Sequence, residues 1–280
     1  MRSQSGGNQS VERAAAVLRA LRRGRPAQRV SDLAGATGLS FSTASRILAT
    51  LEAAGLVQRA PDGQCYELGG EVLSLAGAAL NHHPVHREAR PVAQRLAWEL
   101  GLGANLAVRR GGELFYLHHV EGGLAPRPYT LLGQRNPLHA TAMGKCLALG
   151  MTPEESARHL GPGPYRACTA HTLTDAAAWR AELARVAERG WAGEVEELAL
   201  GRACVAAPVR DRTGTVVAAL SVSGTLSAMA LHEREATLGR RVVEAADAVS
   251  LALGHVPAPL PPPRSRPQPR PRSREAGRPS

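Results

Sequence analysis

The stretch VSDLAGATGLSFSTASRILATLEAAGLVQR, residues Val30 to Arg59, decides how the first part of this chain folds. In its second half, apolar residues recur at the spacing that gathers them on one face of an α-helix. These residues are Ala44, Ile47, Leu48 and Leu51. A shorter run with the same spacing precedes them, with Ser31 as its expected N-cap and Gly38 as its expected end. Two short helices joined by a glycine turn follow the helix-turn-helix plan.

The face opposite the apolar residues is polar and carries small side chains. It presents Ser42, Arg46 and Thr50 beside Ala49, with Thr43 and Ser45 on its flanks. Small hydroxyls around one guanidinium can approach a phosphate backbone or the edges of bases closely. The pattern therefore predicts a DNA-reading helix, while two ordinary packed surface helices remain the alternative on this pattern alone.

A hairpin after these helices favours the DNA-binding interpretation. The strand-like segment LVQR is followed by the turn Pro61-Asp62-Gly63 and by a second strand from Cys65 to Leu68. An amphipathic helix with Ser10 as its expected N-cap precedes the pair. Three helices and a hairpin predict a winged helix-turn-helix over residues 10–68, in which Arg59 of the wing reaches the DNA backbone.

The charge distribution points in the same direction. The chain has 280 residues and a net charge of +10. Residues 1–68 contain nine Arg and five acidic residues, whereas residues 69–254 are nearly balanced, with nineteen basic and eighteen acidic residues. A basic head on a nearly neutral body is typical of a polyanion-binding module attached to a domain with another task.

Composition also restricts the cellular setting. Four cysteines without a CxxC pair indicate neither a zinc ribbon nor a disulfide framework, so we expect reduced thiols. The polar N-terminus and the absence of a long apolar run predict no signal peptide and no membrane span. We therefore expect a cytoplasmic protein without a membrane partner.

The remainder of the chain divides into a linker, a body and a tail. Residues 69–84 predict a linker helix and a solvated hinge, in which Pro84 interrupts the histidine cluster NHHPVH and disfavours a metal site. Residues 85–254 alternate hairpin strands with helices and predict an α+β domain with an antiparallel sheet. Residues 1–9 and the Pro/Arg-rich residues 255–280 predict a flexible tail at each end. The positive C-terminal tail either adds nonspecific attraction to DNA or only improves solubility.

Taken together, the motifs resemble those of the IclR family of bacterial transcription regulators, over roughly Ser10 to Leu253. The resemblance rests on SVERAAAVLRAL, GLSFSTASRILATLEAAGLVQR, YELG, PLHATAMGKCLA, ERGWAGEVEELALGRACVAAPV and AALSVSG, in this order. It implies a winged helix-turn-helix, a linker helix and a GAF-like effector-binding domain. It also implies a homodimer or homotetramer that binds pseudo-palindromic operator DNA and regulates a catabolic or metabolic operon, without a cofactor.

The resemblance places the effector pocket at six positions of this sequence: Ala142, Met143, Glu194, Cys204, Ser221 and Ser223. Physical arguments support part of this assignment, since a helix that starts with small residues exposes backbone N–H groups to a carboxylate. Ser221 and Ser223 alternate, so both hydroxyls face the same side of a strand. Together these groups predict a site for a small organic acid.

Ordinary structural roles compete with each of these assignments. The serine hydroxyls can be satisfied at a sheet edge, and Cys204 can be a small buried apolar residue. Lys145 and His139 are either anion contacts or, for a lysine near a helix end, a dipole partner or solvated charge. The segment Gly103-Ala104-Asn105, Trp191 and the His118-His119 pair depart from the family pattern, which leaves the effector open.

Two other classes of function compete with a regulator. One is an enzyme that uses Cys204, His139 and Glu194 as nucleophile, base and orienting group, but no GxSxG, HExxH, P-loop or Rossmann fingerprint accompanies them. The other is a metabolite-binding signalling module whose helix-turn-helix makes only protein contacts. The sequence favours a ligand-responsive regulator that is not an enzyme.

Overall fold

The computed structural model describes residues 8–124, 130–149 and 151–256. Its first unit contains three helices and a small sheet. The elements are α1 (Gln9–Arg23), β1 (Gln28–Arg29), α2 (Val30–Thr37), α3 (Phe41–Ala53), β2 (Val57–Arg59) and β3 (Cys65–Leu68). The strands pair antiparallel in the order β1-β3-β2. The winged helix-turn-helix is thus confirmed, with an additional strand, β1, that the sequence did not predict.

Two predicted N-caps are wrong. Asn8 caps α1 by accepting a hydrogen bond from the backbone of Ser10, so Ser10 lies inside the first turn. At α2, the carboxylate of Asp32 accepts a hydrogen bond from the backbone of Arg29 instead of Ser31 capping the helix. The predicted end at Gly38 is confirmed, because this residue adopts φ 68°, a left-handed conformation that suits glycine.

A compact apolar core holds the winged unit together. Its buried members come from all three helices and from both strands of the wing: Val17, Leu21, Leu33, Leu48, Leu51, Val57 and Tyr66. The apolar face predicted for α3 therefore points inward, with Ile47 packed at its margin. Burial of this face leaves the opposite side of α3 at the surface.

Two helices connect the winged unit to the body. They are α4 (Gly70–His82) and α5 (Pro84–Leu100), which share His83 as the C-cap of one and the N-cap of the other. Pro84 occupies the first turn of α5, where its missing N–H costs nothing. The predicted solvated hinge is only partly correct, because His86 is buried and its Nδ1 lies 3.0 Å from the Leu80 carbonyl oxygen.

The start of α4 is fastened to the winged unit. The backbone N–H of Gly69 donates to the Leu56 carbonyl, and that of Glu71 donates to the Gly55 carbonyl. A Cβ at Gly69 would lie 2.2 Å from the Gly55 carbonyl oxygen, so only glycine permits this approach.

The body is built on a six-stranded antiparallel sheet. Its elements are β4 (Gly103–Arg110), β5 (Glu113–Val120), β6 (Arg135–Pro137), α6 (Ala142–Leu147), α7 (Pro153–Leu160), α8 (Ala176–Arg189), β7 (Ala192–Val195), β8 (Arg202–Arg210), β9 (Val216–Thr225), α9 (Leu226–Met229) and α10 (Leu231–Ala252). The strand order is β6-β5-β4-β9-β8-β7, and all neighbours are antiparallel. This confirms the α+β class and the antiparallel sheet.

The two faces of this sheet are covered differently. On one face, α5 and α10 pack against a continuous apolar layer that includes Leu106, Val205 and Leu220. On the other face, the short helix α6 and part of α8 cover the strands around Ala107, Ala206 and Ala219. Side chains alternate along a strand, so each strand supplies both layers.

Some segments of the body differ from the elements that the sequence pattern predicts. The segment YTLLGQR, residues 129–135, offers a possible strand in the sequence, but only Arg135 belongs to one, as the first residue of β6, and Tyr129 lies outside the described residues. The segment LHATAMGKCLAL, residues 138–149, predicts one helix, but the structure divides it into a 3₁₀ turn, Leu138–Ala140, and α6. Strand β7 was not predicted. The tail at residues 257–280 and residues 1–7 also lie outside the described residues.

In the part of the chain that the structure describes, no helix combines the length and the apolar content that crossing a membrane requires.

Candidate functional site

The exposed face of α3 carries the residues that the sequence predicted for DNA contact. Ser40 caps this helix, its Oγ accepting a hydrogen bond from the backbone of Thr43 at 3.2 Å. Ser42, Arg46 and Thr50 are exposed, and Thr43 and Ser45 are half-buried at the edges of this face. The Thr50 hydroxyl donates to the Arg46 carbonyl, so its oxygen faces outward as an acceptor.

A groove between α1 and α3 adds a second cation to this surface. It is lined by Ser10, Arg13, Ala14, Thr43, Arg46, Ile47, Thr50 and Leu51. Arg13 was not predicted, because it lies on a different helix, and helical periodicity relates only residues of one helix. The two arginines make the groove a positively charged surface beside the polar face of α3.

Arg59, the residue predicted to extend DNA contact into the wing, is engaged within the protein. Its Nε lies 3.4 Å from Glu52, its Nη1 donates to the Gly63 carbonyl, and its guanidinium stacks over Tyr66 at 4.7 Å. At the wing tip, backbone N–H groups of Cys65 and Gln64 lower the pKa of Asp62. The wing tip therefore carries the charged Asp62 carboxylate, and the contacts of Arg59 lie within the hairpin and with Glu52.

In the body, strand register places two rows of polar residues side by side. Glu194 of β7 pairs with Cys204 of β8, which pairs with Ser223 of β9. Two residues away along β9, Ser221 pairs with Asn105 of β4, which pairs with His119 of β5. Cross-strand partners point to the same face, so both rows lie on the side that α6 covers incompletely.

A cavity of about 330 Å³ opens on this side of the sheet. Its walls are Asn105, Tyr116, Leu131, Gln134, Asn136, Thr141, Met143, Glu194, Leu198, Ala199, Arg202, Ala203, Cys204 and Ser223. Four of the six positions taken from the family resemblance are among them: Met143, Glu194, Cys204 and Ser223. Cys204 is half-buried at the wall, in contrast to the expected buried apolar role.

The other two predicted positions, Ala142 and Ser221, do not line this cavity. Both side chains are fully buried behind it. The exposed N–H groups expected at the start of α6 are also partly occupied, because Gly144 donates its N–H to Thr141 Oγ1 at 2.9 Å. Since α6 has only six residues, the side chains of the cavity wall outweigh its backbone as a source of ligand contacts.

A buried hydrogen-bond network lies behind the serines. The Asn105 side-chain amide donates to Ser221 Oγ at 3.1 Å and to Ser223 Oγ at 3.2 Å. Its oxygen lies 2.7 Å from His119 Nδ1, and His119 Nε2 lies 2.5 Å from Glu121 Oε1. The sequence marked Asn105 and His119 only as departures from the family pattern. The hairpin pattern could have predicted that these two residues are partners across β4 and β5. It could not have predicted their contact with β9.

Burial shifts the charge balance around Glu194. Removal from water raises the pKa of this carboxyl to about 7, although the Leu198 N–H that it accepts works against the shift. Lys145 is also buried, and its Nζ lies 2.5 Å from Glu197 and donates to the Gly193 carbonyl. A solvated charge, one of the roles expected for Lys145, is therefore wrong, because this lysine is half of a buried ion pair.

The arrangement of Cys204, His139 and Glu194 does not favour nucleophilic catalysis. Cys204 and Glu194 are neighbours in the sheet, but His139 Nε2 is hydrogen-bonded to the Arg166 carbonyl and the residue does not line the cavity. Within residues 8–124, 130–149 and 151–256, no three His, Cys, Asp or Glu residues are grouped as metal ligands. The cavity instead offers a guanidinium, hydroxyls and amides, which are groups that bind a small polar molecule.

Comparison with known proteins agrees with both parts of the molecule. Residues 10–61 match the IclR helix-turn-helix domain, and residues 77–251 match the C-terminal domain of the bacterial transcriptional regulator IclR. The chain is 36% identical over 247 residues to the glycerol operon regulatory protein of Streptomyces griseus, covering 88% of this chain and 96% of that protein. It is 33% identical over 251 residues to the HTH-type transcriptional repressor AllR of Salmonella typhi, covering 90% and 92%.

A solved structure has the same architecture. The IclR homologue of Microbacterium hydrocarbonoxydans, in complex with 4-hydroxybenzoate, superposes with a TM-score of 0.76 at 26% identity, covering 87% of this chain and 98% of that one. The chain therefore belongs to the IclR family of bacterial transcriptional regulators, with a helix-turn-helix DNA-binding domain ahead of a C-terminal effector-binding domain.

Proposed function

We propose that the chain reads operator DNA with the exposed face of α3 and responds to a small organic acid bound in the cavity of the body. Ser42, Thr43, Ser45, Arg46 and Thr50 make the base and phosphate contacts. Arg13 adds a phosphate contact from the groove. The observation that carries this proposal is the exposed polar face of α3, whose opposite face is buried in the core.

Arg59 has a conditional role in this proposal. Its guanidinium is shared among Glu52, Gly63 and Tyr66, so a phosphate must compete with these partners. Arg59 contacts the DNA backbone only when it exchanges Glu52 for a phosphate oxygen. Arg46, whose side chain is exposed on α3, carries the stronger contact.

The operator-bound form is a homodimer, or a homotetramer built from dimers. One copy has few strong contacts, so specific binding requires two half-sites of a pseudo-palindromic operator. The linker helix α4 supports this assembly, since none of its residues is buried and Leu73 and Leu75 are 78% and 55% exposed. A second copy of the chain covers this apolar helix, and Leu73→Glu should shift the mass in solution to the monomer.

The effector is a small carboxylic acid, taken from the catabolic or metabolic pathway that the operon serves. Arg202 and Ser223 of the cavity wall suit a carboxylate, and Glu194 with its raised pKa suits a hydroxyl or carbonyl on the same molecule. The neighbour from Microbacterium was solved with 4-hydroxybenzoate, which is an acid of this kind. The protein acts in the cytoplasm and catalyses no reaction.

The test of the DNA-binding face is a fluorescence-anisotropy titration with DNA from upstream of the gene. Arg46→Ala should weaken binding by about tenfold to a hundredfold and make it less dependent on salt, because a phosphate or base contact is lost. Arg180→Ala removes an equally exposed arginine from α8 and should have no effect. Equal binding by both variants would mean that another surface of the protein contacts the DNA. No binding by the wild type to upstream or flanking intergenic DNA at low salt would instead favour the signalling module.

The organic-acid proposal is tested by a thermal-shift screen of small carboxylic, aromatic and sugar acids. A ligand that binds the folded state raises its apparent stability. Each stabilising acid is then added to the protein–DNA complex, where we expect a change in operator affinity. If sugars without a carboxylate stabilise the protein and acids do not, the assignment of an acid is wrong.

A further inference from the structure

The hydrogen-bond network behind the cavity determines which polar groups of the cavity wall donate and which accept. Asn105 is buried, and its amide has two N–H donors and one oxygen. In the observed orientation both donors are used, one on Ser221 and one on Ser223, and the oxygen faces His119 Nδ1. All polar atoms of this amide therefore have partners.

The opposite orientation of the amide satisfies fewer groups. With oxygen and nitrogen exchanged, one N–H would face His119 Nδ1 and the second would lack a partner among the contacts the structure shows. A buried donor without a partner is unfavourable, so the observed orientation is the more stable one. It requires that His119 donate from Nδ1.

Glu121 holds the ring of His119 in place. His119 Nε2 faces the Glu121 carboxylate, which only accepts hydrogen bonds, so both ring nitrogens point at acceptors. The adjacent His118 lies on the other face of β5, against the ring of His86 at 5.2 Å, and takes no part in this network.

We propose that His119, held by Glu121, is a positioning residue that fixes Asn105 as a donor and thereby makes Ser223 donate its hydroxyl hydrogen to the effector. Ser223 Oγ already accepts from Asn105, and Ser223 lines the cavity, so its hydrogen is directed to the ligand. The wall then selects an acceptor atom, such as a carboxylate oxygen, over a donor such as an amide nitrogen. This inference rests on the proposed effector cavity and names the residues that set its selectivity.

The test compares acids with their amides on matched variants. Titration calorimetry measures the affinities of 4-hydroxybenzoate and 4-hydroxybenzamide, of glycolate and glycolamide, and of lactate and lactamide. The wild type should prefer at least one acid, and His119→Leu should reduce that preference for acid over amide by about tenfold. His119→Gln keeps N–H donors at this position and should restore most of the preference. His118→Leu, on the other face of the same strand, should leave it unchanged.

The possible results separate this inference from the proposed function. If the wild type binds an acid and His119→Leu keeps the wild-type ratio, the positioning role is wrong and the effector cavity stands. If the wild type binds none of the acids, the organic-acid proposal fails and this inference fails with it. Should His119→Leu not fold, nitrogen NMR of the wild-type imidazole decides, because a His119 Nδ1 without hydrogen would overturn the assignment.

Discussion

The two faces of the six-stranded sheet are built from the same strands but are covered by different partners. One face is closed by α5 and α10, helices of 17 and 22 residues, over an apolar layer. The other face is covered by α6, which has six residues, and by part of α8. The short helix leaves room for a cavity, and polar residues of the strands line it. The closed face is therefore an apolar layer, whereas the polar groups that can bind a ligand lie on the face that is covered incompletely.

The largest expected loss of stability is at the buried ion pair beside the cavity. Lys145→Met removes the partner of Glu197 in a site where both side chains are nearly inaccessible to water. We expect a loss of about 4 kcal/mol in the free energy of unfolding, because an unpaired carboxylate remains buried. Urea denaturation measures this loss. The double variant Lys145→Met with Glu197→Gln should recover much of it, and no recovery would mean that packing of the lysine, and not its charge, dominates.

The closed face is tested by a truncation in its apolar layer. Leu106→Ala should lower the free energy of unfolding by about 3 kcal/mol, since it removes a fully buried side chain and leaves a cavity. The same denaturation experiment measures it, and the affinity for an effector should stay constant. A selective loss of effector binding at full stability would contradict the division between the faces.

The cavity face should make the stability depend on pH through Glu194. Its pKa is about 7 in the folded protein, against the ordinary value of 4.5 in the unfolded chain. Between these values the folded state keeps a proton that the unfolded state has released, so stability falls as the pH rises from 4.5 to 7. The fall is about 2 to 3 kcal/mol. Comparing denaturation of the wild type and Glu194→Gln at both ends of this range checks it, since the variant should show a weaker dependence.

The smallest effect is expected at the cavity wall itself. Ser223→Ala should lower the free energy of unfolding by about 1 kcal/mol, because one N–H of the buried Asn105 amide loses its partner while the other keeps Ser221. The same variant should weaken binding of an acidic effector. A large loss of stability would show that Ser223 serves the fold more than the cavity.

The fold of this protein is largely visible in its sequence, because its long elements have clear periodicity. The apolar positions of α3 and the spacing of Ser221 and Ser223 in β9 are local patterns, and both predict the correct element and face. Strands β1 and β7 were missed, because two and four residues are too short to show alternation. The N-caps of α1 and α2 were each misplaced by two residues for a similar reason, since several neighbouring residues can cap equally well.

The candidate site was predictable only where it depended on one strand or one motif. The spacing of Ser221 and Ser223 correctly predicts that both face the same side, but only Ser223 reaches the cavity. Both hydroxyls also accept hydrogen bonds from Asn105, which lies 116 residues before Ser221 in the sequence. Lys145 was misjudged in the same way, since its partner Glu197 is 52 residues distant. Such contacts are set by the tertiary fold and have no local signal.

The attachment of α4 at both of its ends gives this helix the geometry of a lever. Its first turn is hydrogen-bonded to the winged unit through Gly55 and Leu56, and its last residue meets α5 at the single residue His83. Thirteen residues make an arm of about 20 Å. By simple trigonometry, a tilt of about 10° at His83 would therefore carry the winged unit through about 3 Å, close to the rise of one DNA base pair. A change in the body too small to repack its sheet would be enough to bring a reading helix out of step with its half-site.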